Sequence, residues 1–140
     1  DQKMVIDKDD SLEKYTNYLK KISILVVDEN VSNQKLISKC LDDDNVELTF
    51  VNYGKECLNR IRNNEKYDLI LISDELNYMS YIETVKKLKL INGFNSILIL
   101  MTRDNNVEYT GSYKKYGFDD YILKPISRNK LISLIEKYFK

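Results

Sequence analysis

Four short segments of the 140-residue chain carry side chains that could bind a cation and hold a phosphoryl group. Paired carboxylates repel each other and are tolerated together when a divalent cation lies between them, and oxygen ligands of this kind suit Mg²⁺. A lysine ammonium and a threonine hydroxyl can both donate to phosphoryl oxygens. Together these groups would stabilise a phosphoryl group in transfer, which depends mostly on positioning and charge. The candidates are Asp28, Glu29 and Asn30, then Ser73, Asp74 and Glu75, then Thr102, and finally Lys124 and Pro125.

The hydrophobic pattern predicts the elements that position these residues. Apolar runs rich in β-branched residues, typical of buried parallel strands, alternate with stretches whose apolar residues recur at helical spacing. Five such alternations imply a parallel sheet with helices on both faces, joined by right-handed crossovers. We therefore predict an α/β, flavodoxin-like, doubly wound five-stranded parallel sheet in the order 2-1-3-4-5. The predicted strands lie at 22–27, 46–50, 69–72, 97–101 and 121–123, and the weakest predicted helix rests on Val107, Tyr113 and Tyr116.

This topology brings the candidate residues to one edge of the sheet. They follow the first, third, fourth and fifth strands, and ligands of open α/β sheets bind beyond the carboxyl ends of the strands. Taken singly, each residue has a simpler explanation, since a strand-end Asp is often a helix N-cap and Lys124 could be merely solvated. Chance explains their convergence on one edge much less well, so we predict a functional site there.

Composition excludes several classes of function. The chain has 0 His, so it cannot use a histidine base, nucleophile, metal ligand or phosphohistidine. Its 22 basic and 22 acidic residues leave no excess charge that favours nucleic acid or an anionic membrane. Cys40 and Cys57 match no metal motif and are predicted to be buried free thiols, which suits a cytoplasmic setting. No apolar run reaches the length of a membrane span, and no signal-peptide pattern opens the chain.

From about residue 22 to residue 138, the chain resembles a receiver domain of the two-component response regulator family. The order and approximate spacing of the matching segments agree with that family. These segments are Ile24-Leu25-Val26-Val27-Asp28-Glu29-Asn30, Asp68-Leu69-Ile70-Leu71-Ile72, Thr102, Gly117-Phe118-Asp119-Asp120-Tyr121 and Lys124-Pro125.

The resemblance implies a role for each site residue. Asp28 and Glu29 would hold Mg²⁺ together with the backbone carbonyl of Glu75. Thr102 would contact the phosphoryl group, and Lys124 would bridge to it. The resemblance also implies a cis peptide bond between Lys124 and Pro125, and a switch in which Tyr121 changes rotamer together with Thr102. The alternative for Tyr121 is an amphipathic edge residue with its hydroxyl in water.

One position departs from the family pattern. The phosphoacceptor of the family is an Asp five positions beyond the residue that corresponds to Asp68, and here that position is Ser73 (73 − 68 = 5). Asp74 comes one residue too late, while Asn77 and Tyr81 replace a proline and a glycine. A serine hydroxyl is a poor nucleophile unless a base activates it. Losing a carboxylate also removes a ligand, so we expect weak or absent Mg²⁺ binding.

Two interpretations follow from this departure. In the first, which we favour, the receiver is atypical, no longer accepts phosphate and acts by docking a protein partner. In the second, Asp74 is the acceptor in a shifted loop with Mg²⁺, and the phosphorelay survives. The presence of Asp28, Glu29, Thr102 and Lys124 argues for the second.

The domain organisation and partners are further expectations. We predict a leader or interdomain linker at 1–20 and the receiver at 21–140. The pattern Asp28-Glu29-Asn30-Val31-Ser32-Asn33 resembles receivers of hybrid sensor histidine kinases, and a free-standing regulator is the alternative. The expected partner is a histidine kinase, a phosphotransfer protein or another domain of the same bacterial parent. We expect no direct contact with nucleic acid or membrane.

We expect this domain itself not to be an enzyme, although its parent could be a histidine kinase. A flavodoxin-like FMN protein would need a loop rich in Ser, Thr and Gly after the first strand, and the loop here is acidic. A metal-dependent phosphatase would need a second Asp two residues after Asp28, where the chain has Asn30. The sequence therefore argues against both kinds of enzyme.

Overall fold

The apolar runs fold into one parallel sheet. The computed structural model describes residues 21–42 and 45–140, and within them the strands pair in the order β2-β1-β3-β4-β5, with every neighbouring pair parallel. The predicted α/β class, parallel sheet and strand order are confirmed. The strands are β1 (Ile22–Val27), β2 (Val46–Val51), β3 (Leu69–Ser73), β4 (Ile97–Thr102) and β5 (Asp120–Leu123).

Six helices lie in the described part of the chain. Where the sequence predicted one weak helix between β4 and β5, the structure has two short ones. They separate at Gly111, which takes a left-handed conformation (φ 64°) that ends the first helix and precedes the second. The helices are α1 (Val31–Cys40), α2 (Gly54–Arg62), α3 (Tyr81–Lys89), α4 (Val107–Thr110), α5 (Ser112–Tyr116) and α6 (Arg128–Phe139).

The core consists of two apolar clusters, one on each face of the sheet. Helices α1 and α6 cover one face, and α2, α3, α4 and α5 cover the other. Strand β3 is buried along its whole length, which explains its uninterrupted apolar run. Cys57 lies in the core, and burial raises the pKa of its thiol to about 12. Cys40 is only half-buried, so the prediction that both thiols are buried was wrong for Cys40.

Side-chain caps fix the loops that leave the carboxyl edge. Asn30 accepts a hydrogen bond from the backbone N–H of Asn33 at 2.9 Å and so begins α1. Ser80 begins α3 by accepting from the N–H of Glu83 at 3.1 Å. Both loops are therefore held at their helical ends.

In the described residues, no helix has the length and apolar character needed to cross a membrane. The predicted leader at 1–20 lies outside the described residues.

Candidate functional site at the carboxyl edge of the sheet

The predicted site residues lie where β1, β3, β4 and β5 end. Backbone hydrogen bonds continue the ladder just past the strands: the N–H of Asp74 donates to the carbonyl of Met101 at 3.1 Å, and the N–H of Lys124 donates to the carbonyl of Thr102 at 2.8 Å. The peptide bond between Lys124 and Pro125 is cis. The structure thus brings the segments after β3, β4 and β5 together, next to the loop after β1.

Three asparagines donate hydrogen bonds to the acidic pair after β1. Asp28 is 1% exposed, and its carboxylate accepts hydrogen bonds from the N–H of Asn30 at 2.9 Å and from the side-chain amide of Asn33. Glu29 accepts from both the side-chain amide and the backbone N–H of Asn77. In the sequence, Asn33 stands out only as the last residue of the Asp28–Asn33 pattern, and Asn77 only as the residue in place of a proline. The sequence therefore did not predict these contacts.

The hydroxyl of Ser73 contacts the site lysine. Ser73 is completely buried, and its Oγ accepts hydrogen bonds from Lys124 Nζ at 2.9 Å and from the N–H of Glu75 at 3.0 Å. Lys124 Nζ also lies 3.4 Å from the carboxylate of Glu75, with the lysine side chain 7% exposed. Arg103 approaches the same carboxylate oxygen at 3.8 Å. The buried ammonium therefore has Glu75 as its counter-ion.

Asp74 contacts a different partner from its neighbour. Its Oδ2 accepts a hydrogen bond from Thr102 Oγ1 at 2.7 Å, while its Oδ1 is buried with no hydrogen-bond partner. Thr102 Oγ1 in turn accepts from the N–H of Asp104 at 3.0 Å. Strands β3 and β4 keep a regular register up to Ser73, so no bulge moves Asp74 into the position of Ser73.

Tyrosines border this site on the side of α3 and β5. Burial is the main cause that raises the pKa of Tyr81, with Tyr116 and the carboxylates of Asp74 and Asp104 adding to it. The ring of Tyr81 lies 6.0 Å from that of Tyr116.

Tyr121 is half-buried and packs against the core. Its ring lies 5.1 Å from that of Tyr113, and burial followed by a hydrogen bond to Glu108 raises the pKa of its hydroxyl. The role of Tyr121 in a switch stays a prediction.

The donor set fits Mg²⁺ poorly. Within residues 21–42 and 45–140, no group of three or more acidic, thiol or imidazole side chains could hold a metal ion. Asp28 and Glu29 supply two carboxylates, both hydrogen-bonded to neutral amides. Where a third acid would stand, Ser73 offers a hydroxyl that already accepts a hydrogen bond from an ammonium group.

A family model, described as the response regulator receiver domain, matches residues 24–136. This chain belongs to that family. The resemblance stated from the sequence is thereby confirmed, and the matched region includes every site residue described above.

The relatives of this receiver domain include proteins of different length. The transcriptional regulatory protein ZraR of Escherichia coli K12 is 31% identical over 116 residues, which are 83% of this chain and 26% of ZraR. Two-component response regulator 24 of Arabidopsis thaliana is 30% identical over 117 residues, 84% of each protein. The chain therefore spans about a quarter of the bacterial relative and most of the plant relative.

Solved structures support the same fold. The chemotaxis response regulator CheY4 of Vibrio cholerae matches with a TM-score of 0.77 at 20% identity, covering 86% of this chain and 100% of CheY4. The receiver domain of sensor histidine kinase PA1611 of Pseudomonas aeruginosa, solved with magnesium in its active-site cleft, has a TM-score of 0.73 at 22% identity, covering 84% and 97%. A co-crystal structure of the Saccharomyces cerevisiae phosphotransfer protein Ypd1 with the receiver domain of Ssk1 matches with a TM-score of 0.73 at 24% identity, covering 85% and 89%.

Proposed function

We propose that this receiver domain takes part in two-component signalling without accepting a phosphoryl group, and that it acts by docking a protein partner. The observation that carries the proposal is the contact between Ser73 and Lys124. At the end of β3, a fully buried hydroxyl accepts a hydrogen bond from an ammonium group at 2.9 Å.

The chemistry of Ser73 supports this proposal. An ionised carboxylate can attack a phosphoryl group without a base, whereas a serine hydroxyl needs one. The chain has 0 His, and Lys124 donates to the serine oxygen while it pairs with Glu75. Lys124 is therefore placed as a hydrogen-bond donor to Ser73 Oγ and not as a base that could activate it.

Asp74 as phosphoacceptor is the second candidate, and one observation favours it. Its carboxylate is bonded to Thr102, and one of its oxygens has no partner. For this mechanism the carboxylate must leave Thr102 and turn to the side where Lys124 lies. In the regular register of β3 and β4, consecutive side chains point to opposite faces, so the change requires a rearranged loop. We therefore place this candidate second.

The proposed cofactor and partners follow from the same site. Mg²⁺ binds weakly or not at all, because Ser73 removes one of the carboxylates that a divalent cation needs. The partner is a histidine kinase, a phosphotransfer protein or another domain of a hybrid kinase that contains this chain. The yeast complex of a phosphotransfer protein with a receiver domain supports this choice of partner. We further propose that the domain itself is not an enzyme and works in the cytoplasm.

Phosphorylation by a small donor tests the proposal. The protein is incubated with Mg²⁺ and acetyl phosphate and then measured by intact mass, with hydroxylamine used to detect an acyl phosphate. The wild-type protein is expected to gain no adduct. Ser73→Asp should gain one, because it supplies a carboxylate beside Lys124, and the neutral Ser73→Asn is the matched control.

The same assay separates the two candidates. A hydroxylamine-labile adduct on the wild-type protein that disappears in Asp74→Ala would overturn the proposal in favour of Asp74. An adduct that withstands hydroxylamine and disappears in Ser73→Ala would overturn it in favour of the serine hydroxyl.

A further inference from the structure

We propose that the side-chain amides of Asn33 and Asn77 take the place of the metal ion, so that the acidic pair keeps its geometry without Mg²⁺. The inference rests on the proposed function, because it concerns the same site. It goes further by assigning two positioning residues that make the site independent of a cation.

Asn33 supports the more deeply buried acid. Its Nδ2 donates to Asp28 Oδ2 and lies 3.9 Å from Met101 Sδ, so the amide sits between β1 and β4 at the base of the site. A carboxylate that is 1% exposed must be paired or hydrogen-bonded. Here the N–H of Asn30 satisfies Oδ1, and Asn33 satisfies Oδ2. Both donors belong to the segment that begins α1.

Asn77 binds the second acid from another loop. It lies between β3 and α3, and its side-chain amide and backbone N–H each donate to one carboxylate oxygen of Glu29. The next residue, Tyr78, has a φ of 69°, and its ring packs against Tyr53 with ring centroids 5.3 Å apart. The loop after β3 is therefore joined to the loops after β1 and β2. A bound cation would likewise join the loop after β3 to the loop after β1.

Lys124 supplies the third donor that takes the place of the metal ion. It donates to Ser73, the position where a third carboxylate would bind the cation. Amide, amide and ammonium donors thus occupy the three places that acid ligands would otherwise share with a metal. A cation that enters must compete with these donors for the carboxylate oxygens, and within the described residues no third acidic side chain is grouped there to add a ligand. The side chains of the site therefore disfavour Mg²⁺.

Melting temperatures in EDTA and in about 10 mM MgCl₂ test the inference, with no phosphoryl donor present. The wild-type protein should melt within about 1 °C under both conditions. Asn33→Asp and Asn77→Asp replace an amide donor by a third carboxylate. Each variant should melt lower than wild type in EDTA, and Mg²⁺ should raise its Tm by about 3–6 °C. Asn59→Asp, on the exposed side of α2, adds the same charge elsewhere and should show no Mg²⁺ response.

Two results would overturn the inference. One is Mg²⁺-dependent stabilisation of the wild-type protein, or shifts of the Asp28, Glu29 and Ser73 amide signals in an NMR titration with MgCl₂. The other is an unchanged Tm of both aspartate variants in EDTA. Should a variant fail to fold, the wild-type NMR titration decides. Mg²⁺ binding without a phosphoryl adduct would overturn this inference alone, whereas an adduct would overturn the proposed function.

Discussion

Ser73 and Asp74 are neighbours in the chain, yet their side chains contact different partners. Ser73 accepts a hydrogen bond from Lys124, and Asp74 accepts one from Thr102. Because side chains alternate between the faces of a sheet, a shift of one residue moves a carboxylate from one contact set to another. The chemistry of this site therefore depends on which of two consecutive positions carries the acid. The contribution of the Thr102–Asp74 hydrogen bond to the free energy of unfolding can be measured.

Thr102→Val removes the hydroxyl that donates to Asp74 while it nearly preserves the shape of the side chain. The carboxylate then loses its hydrogen bond in a partly buried site, and we expect the free energy of unfolding to fall by about 1–3 kcal/mol. Urea denaturation measures this change. In the background of Asp74→Asn the same substitution should cost less, because a neutral amide tolerates the loss of a donor better than a carboxylate does.

Thr49→Val on the edge strand β2 is the matched control, and its effect should stay within about 0.5 kcal/mol. Equal losses for Thr102→Val and Thr49→Val would show that the contact between Thr102 and Asp74 contributes nothing to stability.

The elements were predictable from the sequence to different degrees. Strands β1, β3 and β4 stand out because they are long apolar runs buried on both faces, and their ends fixed the positions of Asp28, Ser73 and Thr102. The contacts of Asn33 and Asn77 were not predicted, because they depend on how the loops after β1 and β3 approach each other. The left-handed conformation of Tyr78 helps to shape that approach, and no periodicity in the sequence encodes it.

Helices α2 and α3 approach closely at one glycine. Gly54 begins α2, and a Cβ added to it would lie 2.1 Å from Thr84 Oγ1 and 3.2 Å from Thr84 Cβ. The hydroxyl of Thr84 donates to the carbonyl of Ser80 at 2.8 Å, so it is held in place and cannot easily rotate away. Position 54 therefore requires glycine, because the two helices leave no room there for a Cβ atom.

We expect Gly54→Ala to lower the free energy of unfolding by about 1–3 kcal/mol, because the added methyl group overpacks this contact. Thr84→Ala removes the hydroxyl and methyl groups that would clash, so it should recover part of the loss in the double variant. Thr84→Ser keeps Oγ1 and is the matched control that should recover little. Urea denaturation of the single and double variants measures both effects. Equal recovery by alanine and serine would contradict the proposed clash with Oγ1.

At the scale of the whole molecule, the two apolar clusters explain why a site of mostly polar residues can exist at one edge. Each cluster joins strand residues to helices on its own face, and the strands β1 and β3 separate the two clusters at the centre of the sheet. The same strands end beside the acidic pair and Ser73. The loops of the site therefore begin at the ends of the most deeply buried strands, and the packing of those strands fixes where each loop starts.

The predicted boundary between a leader at 1–20 and the receiver at 21–140 is tested by truncation. The family match begins at residue 24, and the two core clusters contain described residues from Ile22 onwards. We therefore expect the fragment 21–140 to melt within about 2 °C of the full chain. The amides of β1 and β3 should exchange most slowly with deuterium, because the central strands open only in global unfolding.

A fragment that starts at residue 28 is the control for this truncation. It lacks β1, which lies between β2 and β3, so the sheet loses the strand that joins β2 to the rest. This fragment is expected to be unfolded by circular dichroism. A fragment 21–140 that melts far below the full chain would show that residues 1–20 contribute to the stability of the receiver, and the boundary would have to move towards the N-terminus.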